Sequence, residues 1–282
     1  MRRTMKVIAF ASEGGAATVT LTHDGADRAI RARLFVAADG KNSTARGWIG
    51  GHSDADPESH RFGGVAVSGV RTADRDTNNG AGTTGAWVNW FAQGTQTTRI
   101  YLSMTTDRLR ACGAHRSYDA ALAFAAAHMP AGALDHVEQA GPLGFFPNND
   151  TWATQIAGDH ITLVGDAAGA PDPSWGHGTS LAMRDVRELS ELLLGGEDWS
   201  GASQQYAERR RAYFDVIHRT DLWATTRAFD TTSDADALRA GNGRAAEADP
   251  TLGGFGVLAV NGPDGLTADD HAYAHYFGQP PT

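Results

Sequence analysis

Cysteine is nearly absent: Cys112 stands alone among 282 residues, so no disulfide can form within the chain. A single thiol fits a reducing compartment such as the cytoplasm. Nothing beside Cys112 in the sequence supplies the cationic surroundings that activate a nucleophilic cysteine. Long hydrophobic runs are missing as well. No stretch approaches the ~18 apolar residues that a membrane span needs. The apolar run at 7–11 is shorter than the roughly 7–15 residues of a signal-peptide core and reads as a strand. There is no excess of positive charge. Lys and Arg total 24 against 33 Asp and Glu, a net charge of −9, and this scattered basicity argues against a nucleic-acid partner. The one basic cluster, Arg209-Arg210-Arg211, reads as the solvated face of a helix. Metal-binding patterns are missing too. His271 and His275 have helical i, i+4 spacing but no Glu beside His271 and no third ligand, so no metal is assigned.

What is present is an ordinary globular composition, 41% hydrophobic and 20% charged, with enough length for one large or two modest domains. Strand signals open the chain at 7–11, 17–22 and 29–38, separated by Gly14-Gly15 and His23-Asp24-Gly25. The last run becomes continuously apolar through Leu34-Phe35-Val36-Ala37-Ala38, as expected of a strand covered on both faces. Further strands are predicted at 62–70, 85–92, 97–105, 143–146 and 161–164, and a helix at 117–129 ended by Pro130. A helix at 180–194 places Leu181, Val186, Leu189, Leu192 and Leu193 inward, and one at 204–229 does so with Tyr206, Tyr213, Phe214, Ile217 and Trp223. Beyond Thr231 the pattern is weak, and no internal repeat is found.

Two segments carry chemistry. In the first, the buried strand runs into Asp39-Gly40, with Ser43 and Arg46 following. An Asp at the carboxyl end of such a strand points toward the ligand crevice of an α/β sheet. Gly40 permits a tight turn, and Ser43 can cap the next helix, whose amides then face an anion. In the second, a strand delivers Gly165-Asp166-Ala167-Ala168, and Pro173, Trp175, Gly176, His177 and Gly178 lead into a long helix. Residues this small let a flat or extended ligand lie against the backbone, and the helix start favours negative charge. The first segment alone fits an ordinary strand-turn-helix junction as well; either half of the second reads as a Gly-rich loop before a helix, but its whole spacing is too specific for that.

Together they resemble the two later FAD motifs of the para-hydroxybenzoate hydroxylase-like flavoprotein monooxygenases. The resemblance implies that Asp39, Gly40, Ser43 and Arg46 support the FAD pyrophosphate. It implies that Gly165, Asp166, Ala167 and Ala168 hold the ribityl chain, and that Pro173, Trp175, Gly176, His177 and Gly178 lie beside the isoalloxazine. Asp185 falls where that family has an Asp in the following helix. The implied fold class is mixed α/β: a Rossmann-like FAD/NAD(P)-binding domain interrupted by an antiparallel substrate sheet and followed by C-terminal helices. The expected domains are 1–50 and 151–196 for FAD, 51–150 for substrate, and 197–282 as a helical region.

The resemblance implies FAD as cofactor and NADH or NADPH as reductant, with O₂ and a small organic substrate as partners. The product is a hydroxylated or epoxidised compound formed through a flavin hydroperoxide. The substrate is expected between the middle strands and the flavin. Trp87, Asn89 and Phe91 alternate onto one face of a strand, and with Tyr101 and Phe146 they are the candidate lining.

Three departures from the family pattern stand out. Gly169 replaces a frequent His, and Ser180 a common Asn. More seriously, no Gly-x-Gly-x-x-Gly turn follows an apolar strand, since Gly80-Ala81-Gly82 lacks the third glycine. The chain therefore reads as an enzyme without its first nucleotide-binding unit. The missing strand is expected between those ending at Asp39 and Asp166, supplied upstream or by another chain, and the chain as given is expected to bind FAD weakly. A non-catalytic remnant or binding subunit is the alternative, with an alkene reductase or a halogenase further off. Against a halogenase, Trp87-Val88-Asn89-Trp90 lacks the Trp-x-Trp-x-Ile-Pro arrangement.

Overall fold

A computed structural model describes residues 5–71, 79–252 and 262–279. The chain forms two compact units, one from residues 1–56 and 150–218, the other from 57–149 and 219–282. It therefore passes between them three times, at 56–57, 149–150 and 218–219.

The first unit opens with an antiparallel meander of β1 (Lys6–Glu13), β2 (Ala16–His23) and β3 (Ala26–Ala32). Ala16, Ala17 and Val19 are buried, whereas β3 is exposed along its whole length. The apolar run at 29–38 is thus not one strand. Arg28 and Arg31 keep β3 in solvent, and after Arg33-Leu34 the chain starts β4 (Phe35–Ala37) in a different sheet. The short helix α1 (Ala45–Trp48) and β5 (Ser53–Ala55) complete this half of the unit.

The second unit is built on a six-stranded sheet containing β6 (His60–Ser68), β7 (Asn79–Thr83), β8 (Ala86–Gln93) and β9 (Thr97–Thr105). The helices α2 (Thr106–Cys112) and α3 (Tyr118–Ala126) follow, then the edge strands β10 (Glu138–Gln139) and β11 (Gly144–Pro147), both paired with β6. One face of the sheet supplies Val65, Val67, Val88, Trp90, Ile100, Leu102 and Met104 to a core closed by Leu109, Ala121 and Ala125. Alternation along each strand dictates this: Ala86, Val88 and Trp90 of β8 and Ile100, Leu102 and Met104 of β9 are inward.

Returning to the first unit, β12 (Thr151–Ala153) pairs with β5 and with β15 (Gly169–Ala170). Between them, β13 (Ala157–Gly158) and β14 (Ile161–Leu163) extend the sheet of β4 in the order β13-β14-β4. Helices α4 (Gly178–Leu194) and α5 (Trp199–Phe229) follow. On α4 the inward stripe differs from the one the leucine spacing implies: Val186 is 54% exposed, while Asp185 and Glu188 are buried. Residues beyond 231, weakly patterned in sequence, form α6 (Ser233–Ala248) and α7 (Asp270–Tyr276). Small residues hide their hydrophobic signal, but both have side-chain caps, Thr232 accepting from the Ala235 amide and Asp269 from that of Ala272. His271 and His275 lie exposed on α7. No helix among the described residues is long and apolar enough to cross a membrane.

Gly64 marks a tight approach inside the sheet of the second unit. Its φ is +148°, and a Cβ there would lie 2.0 Å from the Ile100 carbonyl oxygen on β9. Gly64→Ala is expected to lower unfolding stability by more than about 1 kcal/mol. Gly144→Ala, where a Cβ meets nothing within 4 Å, should leave it nearly unchanged; urea unfolding of both variants checks the contrast.

Candidate functional site

The strands β4 and β14 run parallel and directly side by side, with Phe35, Val36 and Ala37 opposite Ile161, Thr162 and Leu163. The Val164 amide donates to the Ala37 carbonyl at 2.9 Å. Asp39 and Asp166 therefore leave neighbouring strands at the same end. The expectation of a strand between them is corrected: the pair is direct, and β4 is the edge of its sheet among the described residues. Val36 on that edge is 42% exposed, so continuous apolarity here does not mean coverage on both faces.

Asp39 turns back on its own segment. Its Oδ2 accepts from the amides of Thr44 (2.8 Å) and Ala45 (3.1 Å), so it caps α1. The helix begins one turn position later than a Ser43 cap implies, although Ser43 Oγ still accepts from the Arg46 amide at 3.1 Å. Partial burial acts to raise the Asp39 carboxyl. Hydrogen bonds from Ser43 and the Ala45 and Thr44 amides outweigh it and hold the group below the usual carboxylate range. Gly40 sits at φ +82°.

Arg46 is buried, and its guanidinium reaches across to the second segment. Nε and Nη2 donate to the Ala167 carbonyl at 3.2 and 2.9 Å, and Nη2 also approaches the carbonyls of Lys41 (3.2 Å) and Asp166 (3.5 Å). In this arrangement Arg46 ties the two motif segments together through main-chain oxygens.

The second segment is fixed from behind by a network of Asp185, Tyr206 and Tyr213, which the sequence had singled out, with Arg210, which it had not. Asp185, fully buried on α4, accepts from the Gly165 amide at 2.7 Å, from Tyr213 Oη at 2.5 Å and from Arg210 Nε at 2.9 Å. Arg210 is itself 1% exposed and donates to the Gly169 carbonyl at 2.9 Å. The reading of Arg209-Arg210-Arg211 as a solvated face is corrected. Arg209 pairs with Glu188 and Arg211 is exposed, but Arg210 faces inward. Its position was available in the pattern, since 206, 210, 213, 214 and 217 form one helical stripe. Tyr206 Oη donates to the Leu163 carbonyl at 3.1 Å and so anchors β14 to α5. Burial, with Asp185 alongside, pushes Tyr206 and Tyr213 far above the ordinary tyrosine value.

Gly165 adopts φ +59° and starts a 3-10 turn, Gly165–Ala167. Ala167 and Ala168 are packed in the core, while Asp166 is exposed. A Cβ on Gly178 would lie 3.9 Å from Asp166 Oδ1, which puts that carboxylate beside the start of α4. The preceding loop is a second 3-10 turn, Pro173–Trp175, capped by Asp172 Oδ1 on the Ser174 amide at 2.8 Å. Trp175 is buried, and Gly176 (φ +76°) is exposed, with open space for 4 Å around the point where a Cβ would sit. Burial lowers His177 from the ordinary histidine value, and Asp150 and Asp172 partly offset this. Helix α4 starts at Gly178 with no side-chain cap and no acid in its first turn. The open glycine backbone and uncapped amides thus fit a flat group with negative charge at the start of α4, and the exposed Asp166 carboxylate fits hydroxyl donors rather than an anion.

In the second unit, the face of the sheet opposite its core carries Trp87, Asn89 and Phe91, with Tyr101 opposite Asn89. Phe62 stacks on Tyr101 at 4.8 Å and meets Phe146 at 5.7 Å, and Phe91 meets Tyr101 edge-on at 5.8 Å. Trp87 Nε1 donates to Asn89 Oδ1 at 2.6 Å. Phe62 belongs to this aromatic surface too, which its own strand pattern does not announce; its register opposite Phe146 makes it a neighbour.

Residues 2–218 match the FAD binding domain family, and the chain belongs to that family. Over 60 residues it is 38% identical to the kynurenine 3-monooxygenase of Christiangramia forsetii, an alignment covering 21% of this chain and 13% of that enzyme. Among solved structures, p-nitrophenol 4-monooxygenase PnpA from Pseudomonas putida DLL-E4 superposes with a TM-score of 0.69 at 21% identity, over 87% of this chain and 62% of PnpA. The flavin-dependent halogenase CmlS superposes with a TM-score of 0.68 at 16% identity, over 88% of this chain and 50% of CmlS. The chain thus spans less than two thirds of these relatives, and the structural likenesses bear on fold alone.

Arg210→Met leaves the Asp185 carboxylate buried without its cation. Loss of one partner of a buried pair costs about 3–5 kcal/mol, so a thermal-unfolding comparison should show a large drop for Arg210→Met. Arg211→Met, at an exposed position, should stay within about 0.5 kcal/mol of the parent protein.

Proposed function

We propose that this protein binds FAD on the paired Asp39 and Asp166 segments and is part of an NAD(P)H-dependent monooxygenase that oxygenates a small, flat organic substrate. One observation carries the reading: two parallel strands, locked by Arg46, present both motif turns at one end. Residues 1–50 and 151–196 make up the flavin-holding part in this reading, and 51–150 the substrate sheet. Asp166 accepts hydrogen bonds from ribityl hydroxyls, and the open backbone at Gly176 and Gly178 receives the ring. The amides at the start of α4 then face the negative charge of the reduced flavin. Bound FAD supplies the activation of O₂, which no side chain provides. The substrate's ring rests on the Trp87, Phe91, Tyr101 and Phe146 surface, with Asn89 as a polar contact.

The edge of β4, unpaired among the described residues and with Val36 exposed on it, supports pairing with a further parallel strand from the same or another chain, one carrying the Gly-x-Gly-x-x-Gly turn. Without that strand, FAD binding rests on the two segments described and is weak. A halogenase has support from fold likeness alone, and the residues at 87–90 do not favour it.

Titration of the chain with FAD, followed by flavin fluorescence, should give weak saturable binding. Asp166→Ala should weaken it about ten- to a hundredfold, the equivalent of one charge-assisted hydrogen bond of ~1.5–3 kcal/mol. Equal affinity for parent and variant would contradict the assignment. With excess FAD, NADH or NADPH, O₂ and a chloride or bromide salt, a phenol gaining one oxygen atom supports the monooxygenase, whereas halide incorporation would replace it with the halogenase reading.

A further inference from the structure

Asp56 and His218 stand where the chain leaves the first unit, and Asp150 where it returns. Residues this far apart in sequence have no local reason to meet, yet their polar atoms all lie within 4.8 Å of one another. His218 Nε2 is 2.8 Å from Asp56 Oδ2, and the Asp56 amide donates to the Asp150 carbonyl at 3.1 Å. The His218 ring is held against Trp152 of β12 at 4.8 Å and lies 6.1 Å from Phe214 of its own helix. Asp150 also has a second role. Its Oδ1 accepts from the Asp172 amide at 2.5 Å, and Asp172 in turn caps the Pro173–Trp175 turn. Asp150 and Asp172 are both nearly inaccessible, at 4% and 3%. One buried carboxylate therefore joins the cluster at the chain crossings to the loop that precedes α4.

We propose that Asp150 is a positioning residue for the 173–178 loop and that the charge on His218 sets how firmly it holds. With His218 protonated, its cation faces both Asp56 and Asp150, and Asp150 stays seated against Asp172. When His218 loses its proton, the half-buried Asp56 and the buried Asp150 face each other without that cation, the cluster loosens and the loop moves with it. The groups facing His218 are Asp56, Asp150 and, on α5 itself, Asp215. A cavity of about 740 Å³ that His218 also lines adds Asp54, Arg210 and Arg211. Burial works against the charged ring, but the three carboxylates outweigh it and hold His218 above its ordinary value. A histidine raised on folding stabilises fully below its unfolded value of about 6.5, and that stabilisation is lost as pH rises through the folded value. The loop is thus tight in mild acid and loosens on the alkaline side. Any effect on flavin rests on the function proposed above; the coupling of cluster to loop does not.

The test uses the 282-residue chain without cofactor. Histidine-labelled NMR should give His218 a midpoint above the ordinary histidine value, and the amides of Asp172 and of residues 174–177 should shift with that same midpoint. Protection factors at 174–177, taken against the intrinsic exchange rate at each pH, should fall several-fold above it. Asp56→Asn should lower the His218 midpoint and move the loop midpoint with it, and His218→Asn should remove the loop inflection. Asp150→Ala, which removes the acceptor of the Asp172 amide, should make loop protection low at every pH. A loop that keeps its midpoint in Asp56→Asn, or that never responds to pH, would overturn the proposal. If the coupling holds while FAD does not bind, the flavin assignment alone fails; FAD binding with an unresponsive loop sinks only the coupling.

Discussion

Arg46 holds the carbonyls of Lys41, Asp166 and Ala167 at once from a buried position. Because the guanidinium presents its donors in a rigid planar fork, it fixes the spacing of two backbone turns as well as their proximity. The hydrogen-bonded pairing of β4 with β14 brings those turns to the same end of a sheet, and Arg46 keeps them there. Asp39 closes its own turn by capping α1, and Asp166 is left free to face outward beside α4. The candidate site thus rests on main-chain geometry enforced by a few charged side chains.

A second layer stands behind it. Asp185, Arg210, Tyr206 and Tyr213 join α4 and α5 to Gly165, Gly169 and Leu163. Buried charges of this kind contribute little net stability, but they define one arrangement because each lost partner leaves a desolvated charge. Asp150 and Asp172 extend the same logic to the 173–178 loop. The turn at Gly165 and the 173–178 loop are thus each held by a buried carboxylate, whereas Asp39 holds its own turn from an exposed position.

Much of this was legible in the sequence. The strands with regular alternation, at 97–105 above all, and the long amphipathic helices fold where their periodicity puts them, and the two motif segments meet. What could not be read came from partners distant in sequence. The apolar run at 29–38 splits because β3 and β4 choose different sheets, a choice local pattern does not encode. Arg210 looks like a surface residue until α4 and α5 are packed together, and Val186 gives up its inward place to Asp185. The direct pairing of β4 with β14 likewise depends on residues more than a hundred positions apart. The helices beyond 231 were missed because alanine and glycine carry little periodic signal, although their caps were in plain view.

Hydrogen exchange of the chain with and without saturating FAD tests the central claim most directly. The account predicts protection at residues 40–46 and at 165–178 together, rising with one dissociation constant. Protection confined to one of these segments, or appearing only in the second unit, would contradict it.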